Sequence, residues 1–156
     1  MLSTISRANA MGQLKTAFTI FMLSLLPVFA QAESDTFGIY TVHYQAVNST
    51  FLDADIAEQY GIVRSDRRAF LNISVIKAEN DGRTLAVPAQ VSGGKRNLLG
   101  QTGSIDFREI REGSAIYYIG EFDYSNAERV RFSIEVQPEM TGEAHEIRWE
   151  TQIYNN

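Results

Sequence analysis

From Val130 to Gln137 every even position is apolar (Val130, Phe132, Ile134, Val136) and every odd one is polar (Arg131, Ser133, Glu135, Gln137). Glu146–Ile153 alternates almost as strictly, through Ile147, Trp149 and Ile153. A period of two places one strand face on a core and the other in water, the pattern of antiparallel sheets. Further strands are predicted over Phe37–Ala46, Ala69–Lys77, Thr84–Val91, Asn97–Thr102, Ser104–Ile110 and Ala115–Tyr124. Turn chemistry separates them at Asn80-Asp81-Gly82, Ser92-Gly93-Gly94, Glu112-Gly113, Ser125-Asn126 and Pro138 to Gly142, where Gly supplies positive φ without a Cβ clash. Seven or eight short strands at this spacing predict an all-β fold, an antiparallel β-sandwich of immunoglobulin-like architecture, with an open barrel as the other arrangement.

One segment departs from the alternation. In Thr50–Gly61, Leu52, Ile56 and Tyr60 fall on one helical face. Thr50 and Asp53 have the spacing of a capping box, and Gly61 suits a left-handed stop. A helix of two to three turns, near residues 51–60, is predicted to close an edge of the sandwich.

The N-terminus changes the charge arithmetic. Arg7 and Lys15 precede an apolar run from Ala17 to Phe29, and Ala30-Gln31-Ala32 follows. A basic start, a short apolar run and an A-x-A site predict a secretory signal peptide over residues 1–32, cleaved after Ala32. The run is shorter than the roughly 20 apolar residues a membrane span requires, so no stable membrane insertion is expected after cleavage. Met11 is an alternative start, because Lys15 alone still supplies a basic leader. The remaining 124 residues, 33–156, are expected to form a single domain. They keep all 19 acids but only 12 bases, so the net charge falls from −5 to −7. That balance argues against nucleic acid as a partner. The absence of cysteine excludes disulfide scaffolds, thiolate metal sites and cysteine nucleophiles.

Candidate chemistry is sparse. The densest charge cluster is Arg64-Ser65-Asp66-Arg67-Arg68. Its guanidiniums can clamp a carboxylate or phosphate in bidentate geometry, but a solvated loop with local ion pairs is the simpler account. Tyr117 and Tyr118 open an aromatic run to Tyr124. The run is either an exposed platform for a partner or a central strand covered on both sides, one of them by the helix. Gly120 within it signals a bulge or a close backbone approach. His43 and His145 lack a local metal-ligand pattern, so no metal is expected, nor any other cofactor. No nucleophile elbow or phosphate loop is present, and no catalytic residue is assigned.

Five stretches carry a resemblance: Val42–Ala46, Ala57–Ser65, Leu71–Val75, Asn97–Gln101 and Ala115–Gly120. In order and spacing they resemble a family of small, exported Gram-negative proteins known only as a domain of unknown function. The resemblance implies a periplasmic, β-rich protein and brings no activity or catalytic residue. The sequence-based expectation is a periplasmic binding or interaction module, not an enzyme, that meets a periplasmic or envelope protein through Arg64, Ser65, Arg67, Tyr117 and Tyr118. A small anionic ligand or ion on the Arg64–Arg68 loop is the alternative, and a hydrolase of unrecognised geometry the second.

Overall fold

A computed structural model describes residues 32–155, and the signal-peptide assignment lies almost wholly outside them. Two antiparallel sheets enclose one core. Among the described residues the strands number ten: β1 (Glu33–Phe37), β2 (Tyr40–Asn48), β3 (Arg68–Ala78), β4 (Thr84–Ala86), β5 (Ala89–Asn97), β6 (Thr102–Ser104), β7 (Phe107–Glu112), β8 (Ala115–Asp123), β9 (Glu128–Pro138) and β10 (His145–Ile153). The large sheet runs β1-β2-β3-β8-β7, with β4 beside the end of β3, and the small sheet runs β10-β9-β5-β6. The predicted sandwich is therefore the observed architecture.

The count exceeds seven or eight because one strand lies ahead of the predicted ones and one predicted strand is broken. β1 precedes the predicted Phe37–Ala46 and shares only Phe37 with it; Gly38, with a φ of 57°, turns the chain back so that β1 pairs with β2. Thr84–Val91 divides at Pro88, which has no N–H for a ladder; there the chain leaves β3's edge and enters the small sheet. Two boundaries move as well. Ser92-Gly93-Gly94 is strand interior rather than a turn, pairing with Glu135, Ile134 and Ser133. Asn97–Gln101 is the turn rather than a strand. The Asn97 Oδ1 accepts the Leu99 and Gln101 amides at 3.1 and 3.0 Å, a local alternative to ladder pairing.

Alternation holds the two layers together. Leu71, Ile73 and Val75 from β3, Val130, Phe132, Ile134 and Val136 from β9, and Ile147 from β10 are at most 1% exposed. Aromatic rings bridge the layers: Phe132 sits 5.1 Å from Phe122 and 4.7 Å from Trp149, which lies 4.5 Å from Tyr44. Gly120 makes the close approach that the sequence suggests. A Cβ there would lie 2.4 Å from Ile105 Cγ2 and 2.8 Å from a Phe107 ring carbon.

The helical segment is shorter than predicted. It comprises a 3-10 turn, Ser49–Phe51, and α1, Ala54–Gln59. Thr50 belongs to the turn and its Oγ1 has no partner, so the predicted capping box does not form; Asp53 is the N-cap residue, without a side-chain bond. Gly61 does stop the helix, at φ 61°. The Gly61 amide bonds the Glu58 carbonyl and the Ile62 amide that of Ala57, a Schellman end. Ala57 and Ile62 pack on Phe70 and Ile119, covering part of the large sheet's outer face.

Candidate functional site

The loop after α1 is anchored from beneath. Ser49, fully buried, donates its hydroxyl to the Ser65 carbonyl at 3.1 Å and accepts the Ser65 amide at 2.9 Å. Ser65 Oγ in turn accepts the Arg67 amide at 3.2 Å. Arg64 Nη2 donates to the Thr50 carbonyl at 3.3 Å, bracing the loop to the 3-10 turn. The Glu121 carboxylate, on β8's outer face, accepts the Val63 amide at 2.9 Å, and Arg108 lies 3.5 Å away. Arg68 pairs with Asp123 at 3.0 Å. Arg64, Ser65 and Arg68 thus bind their own chain. The Arg67 side chain is exposed and has no hydrogen-bond partner among the described residues.

The two tyrosines part company. Tyr118 points into the core, 4% exposed. Its hydroxyl accepts the Ala89 amide at 2.7 Å and donates to Glu109 at 2.8 Å, linking the two sheets. Burial raises the Tyr118 pKa. The Arg111 guanidinium, with a lesser contribution from Tyr118, holds Glu109 below its ordinary value. Tyr117 faces outward and is half-buried. It lies four residues along β8 from Glu121, roughly 13 Å at 3.3 Å per residue. The structure brings Arg64 and Ser65 together and sets both tyrosines apart from them.

The histidines occupy different faces. His43 stands on β2 between the inward-facing Val42 and Tyr44 and points outward. His145 stacks on Phe37 with ring centroids 4.0 Å apart and reaches Asp35 at 3.5 Å. Among the described residues, no three His, Asp or Glu side chains lie close enough to hold a metal ion.

The feature that sequence reading missed is on the small sheet. Its solvent-facing side carries an open groove of about 800 Å3 crossing all four strands. One row of it runs Glu150–Arg131–Arg96–Thr102 and the next Arg148–Ser133–Gly94–Ser104, as the strand registers dictate. Gly94 leaves the second row without a side chain at its middle. A Cβ there would strike the Gly103 carbonyl oxygen at 2.5 Å, so β5 and β6 close only over glycine. Glu150 accepts bonds from Arg131 and Arg129, and Glu146 takes both ends of the Arg148 fork. These bonds hold Glu146 and Glu150 ionised below the ordinary glutamate range; the largest single contribution comes from the Ser133 hydroxyl for Glu146 and from Arg131 for Glu150. Arg96 has no acidic partner within ion-pair distance among the described residues, and its guanidinium lies against the Asn97–Gln101 turn, 3.6 Å from where a Gly100 Cβ would stand. Each of these residues sits in an alternating strand, so each reads as an ordinary solvent-facing position until the register joins them.

The comparisons agree with this fold. A crystal structure of a protein from Pseudomonas aeruginosa PAO1, of the family DUF4426, superposes with a TM-score of 0.69 at 29% identity, over 80% of this chain and 96% of that one. FetP from uropathogenic Escherichia coli strain F11, expressed in the periplasm, gives a TM-score of 0.61 at 9% identity, over 82% of this chain and 97% of that one. A copper-bound FetP variant gives 0.58 at 10%, over 81% and 92%. These last two share the fold. No curated protein sequence matches. Residues 34–156 match the family model described as a domain of unknown function, DUF4426, and the chain belongs to that family.

Proposed function

We propose that the protein is an exported periplasmic binding module that meets its partner or ligand on the outer face of the small sheet. The groove carries this reading: it concentrates Arg96, Arg131 and Arg148 beside the Thr102, Ser104 and Ser133 hydroxyls in a strongly acidic chain. These side chains point away from the core, so the fold does not need them as packing. Loops carry function disproportionately, but Arg64 and Ser65 already spend their bonds on Thr50 and Ser49. Export is supported by the basic and apolar leader and by the Ala30-Gln31-Ala32 site. The copper of the FetP variant is not carried over, because so distant a likeness speaks for the fold alone.

A photo-crosslinking residue placed in living cells at Ser104, in the groove, or at Asp55, on α1, tests the reading. Adducts from Ser104 and none from Asp55 are expected. Adducts confined to Asp55 would overturn it.

A further inference from the structure

We propose that Arg96 and Arg131 form an oxyanion subsite within this groove, taking a carboxylate or phosphoryl group; the inference rests on the groove being the binding face. The two arginines stand directly opposite on β5 and β9 and project from the same face. Like charges so placed repel, and a cross-strand pair of this kind destabilises a sheet. The local acids do not resolve the conflict. Glu150 is shared between Arg131 and Arg129, Glu146 is taken by Arg148, and Arg96 has no acidic partner within ion-pair distance among the described residues.

Donor counting points the same way. A guanidinium has five N–H donors in a planar fork. Arg131 commits its Nε to Glu150, which leaves its Nη donors free, and Arg96 has all five available. Opposed residues on adjacent strands have Cβ atoms about 5 Å apart, so both flexible arginine arms can turn to one oxyanion above the pair and each donate a charge-assisted bond. Beside the pair, Gly94 keeps the floor low, while the Thr102 and Ser104 hydroxyls supply further donors at the β6 side. The Arg96 fork lies beside a turn that Asn97 holds with three bonds to Leu99 and Gln101.

The test titrates the purified protein with inorganic phosphate and, separately, with succinate at constant ionic strength, following backbone and arginine side-chain NMR shifts. At least one probe is expected to give saturable shifts centred on Gly94, Arg96, Gly103 and Arg131. Saturation by phosphate alone identifies a phosphoryl ligand, and by succinate alone a carboxylate; either supports the subsite. Arg96→Gln is expected to weaken the affinity about ten-fold or more, Arg96→Lys to fall between, and Arg67→Gln to leave it unchanged. Arg96 is exposed and unpaired with acid, so Arg96→Lys is expected to keep the wild-type urea midpoint and Arg96→Gln, which relieves the repulsion with Arg131, to match or slightly exceed it. The subsite is overturned if neither probe saturates, if Arg96→Gln binds as tightly as wild type, or if Arg67→Gln abolishes binding. Ser104 crosslinks in cells without anion saturation would remove the subsite and leave the binding face standing.

Discussion

Ser49 and Ser65, sixteen positions apart, exchange two hydrogen bonds through a single hydroxyl that solvent does not reach. That contact fixes the loop after α1 to the 3-10 turn, while the Glu121 carboxylate ties its Val63 amide to the large sheet. Ser49→Ala leaves the Ser65 amide without a partner, while the Ser65 carbonyl keeps the Arg68 amide; the orphaned amide costs about 1–3 kcal/mol. Urea denaturation is expected to show a lower midpoint at unchanged slope. Arg67→Ala, at an exposed side chain, is expected to shift the midpoint by no more than the equivalent of about 0.5 kcal/mol.

Tyr118 links the layers through one oxygen. Tyr118→Phe keeps the ring in the core but orphans the Ala89 amide and removes a donor from Glu109. A loss of about 1–3 kcal/mol is expected, with faster amide exchange at Ala89 as the local signature.

Gly120 tests the packing of β8 against its neighbour β7 and the segment that leads into it. With Ile105 Cγ2 at 2.4 Å from a new Cβ, Gly120→Ala forces Ile105 and Phe107 aside. Overpacking of this kind costs about 1–3 kcal/mol. A less stable but folded variant with shifted Ile105 methyl resonances is expected.

Stability against pH has two limbs. Glu139 is held below its ordinary value by the Tyr40 hydroxyl and then by Lys77, while Tyr40 and Lys77 are each raised, chiefly by their bonds to Glu139. A depressed carboxyl contributes stability above its unfolded pKa and loses it as pH falls through the folded one. A raised phenol or ammonium contributes below its unfolded pKa and loses it as pH climbs through the folded one. Stability is therefore expected to decline below about pH 4 and again above about pH 10, with a plateau between. Glu139→Gln is expected to be less stable than wild type on the plateau and to converge with it in acid; a constant difference down to the acid limb would contradict the assignment.

How much of this was legible depends on whether a feature lives along the chain or across it. β9 and β10 declared themselves because each has one dry and one wet face, which alternation records directly. Gly61 and Gly120 were readable because only a turn or a close approach calls for glycine at those places. β1 was concealed because Glu33–Thr36 is wholly polar and shows no alternation, and the break at Pro88 because apolar residues flank it on both sides. Ser92-Gly93-Gly94 misled for the opposite reason: glycines that suit a turn were serving close strand packing. The charged loop was visible as a cluster, but its anchor, Ser49, belongs to a different segment. The groove was invisible, since Arg96, Arg131 and Arg148 meet only through the pairing of β5, β9 and β10.

The central claim is that recognition takes place on the outer face of the small sheet and uses its unpaired charge. The yield of adduct from a crosslinker at Ser104, measured in cells carrying wild-type protein and Arg96→Glu, tests it most directly. The account predicts a strong Ser104 adduct in the wild type that is lost on reversing the Arg96 charge, with the fold intact by circular dichroism. A Ser104 adduct indifferent to Arg96→Glu, or an adduct formed only from Asp55, would contradict it.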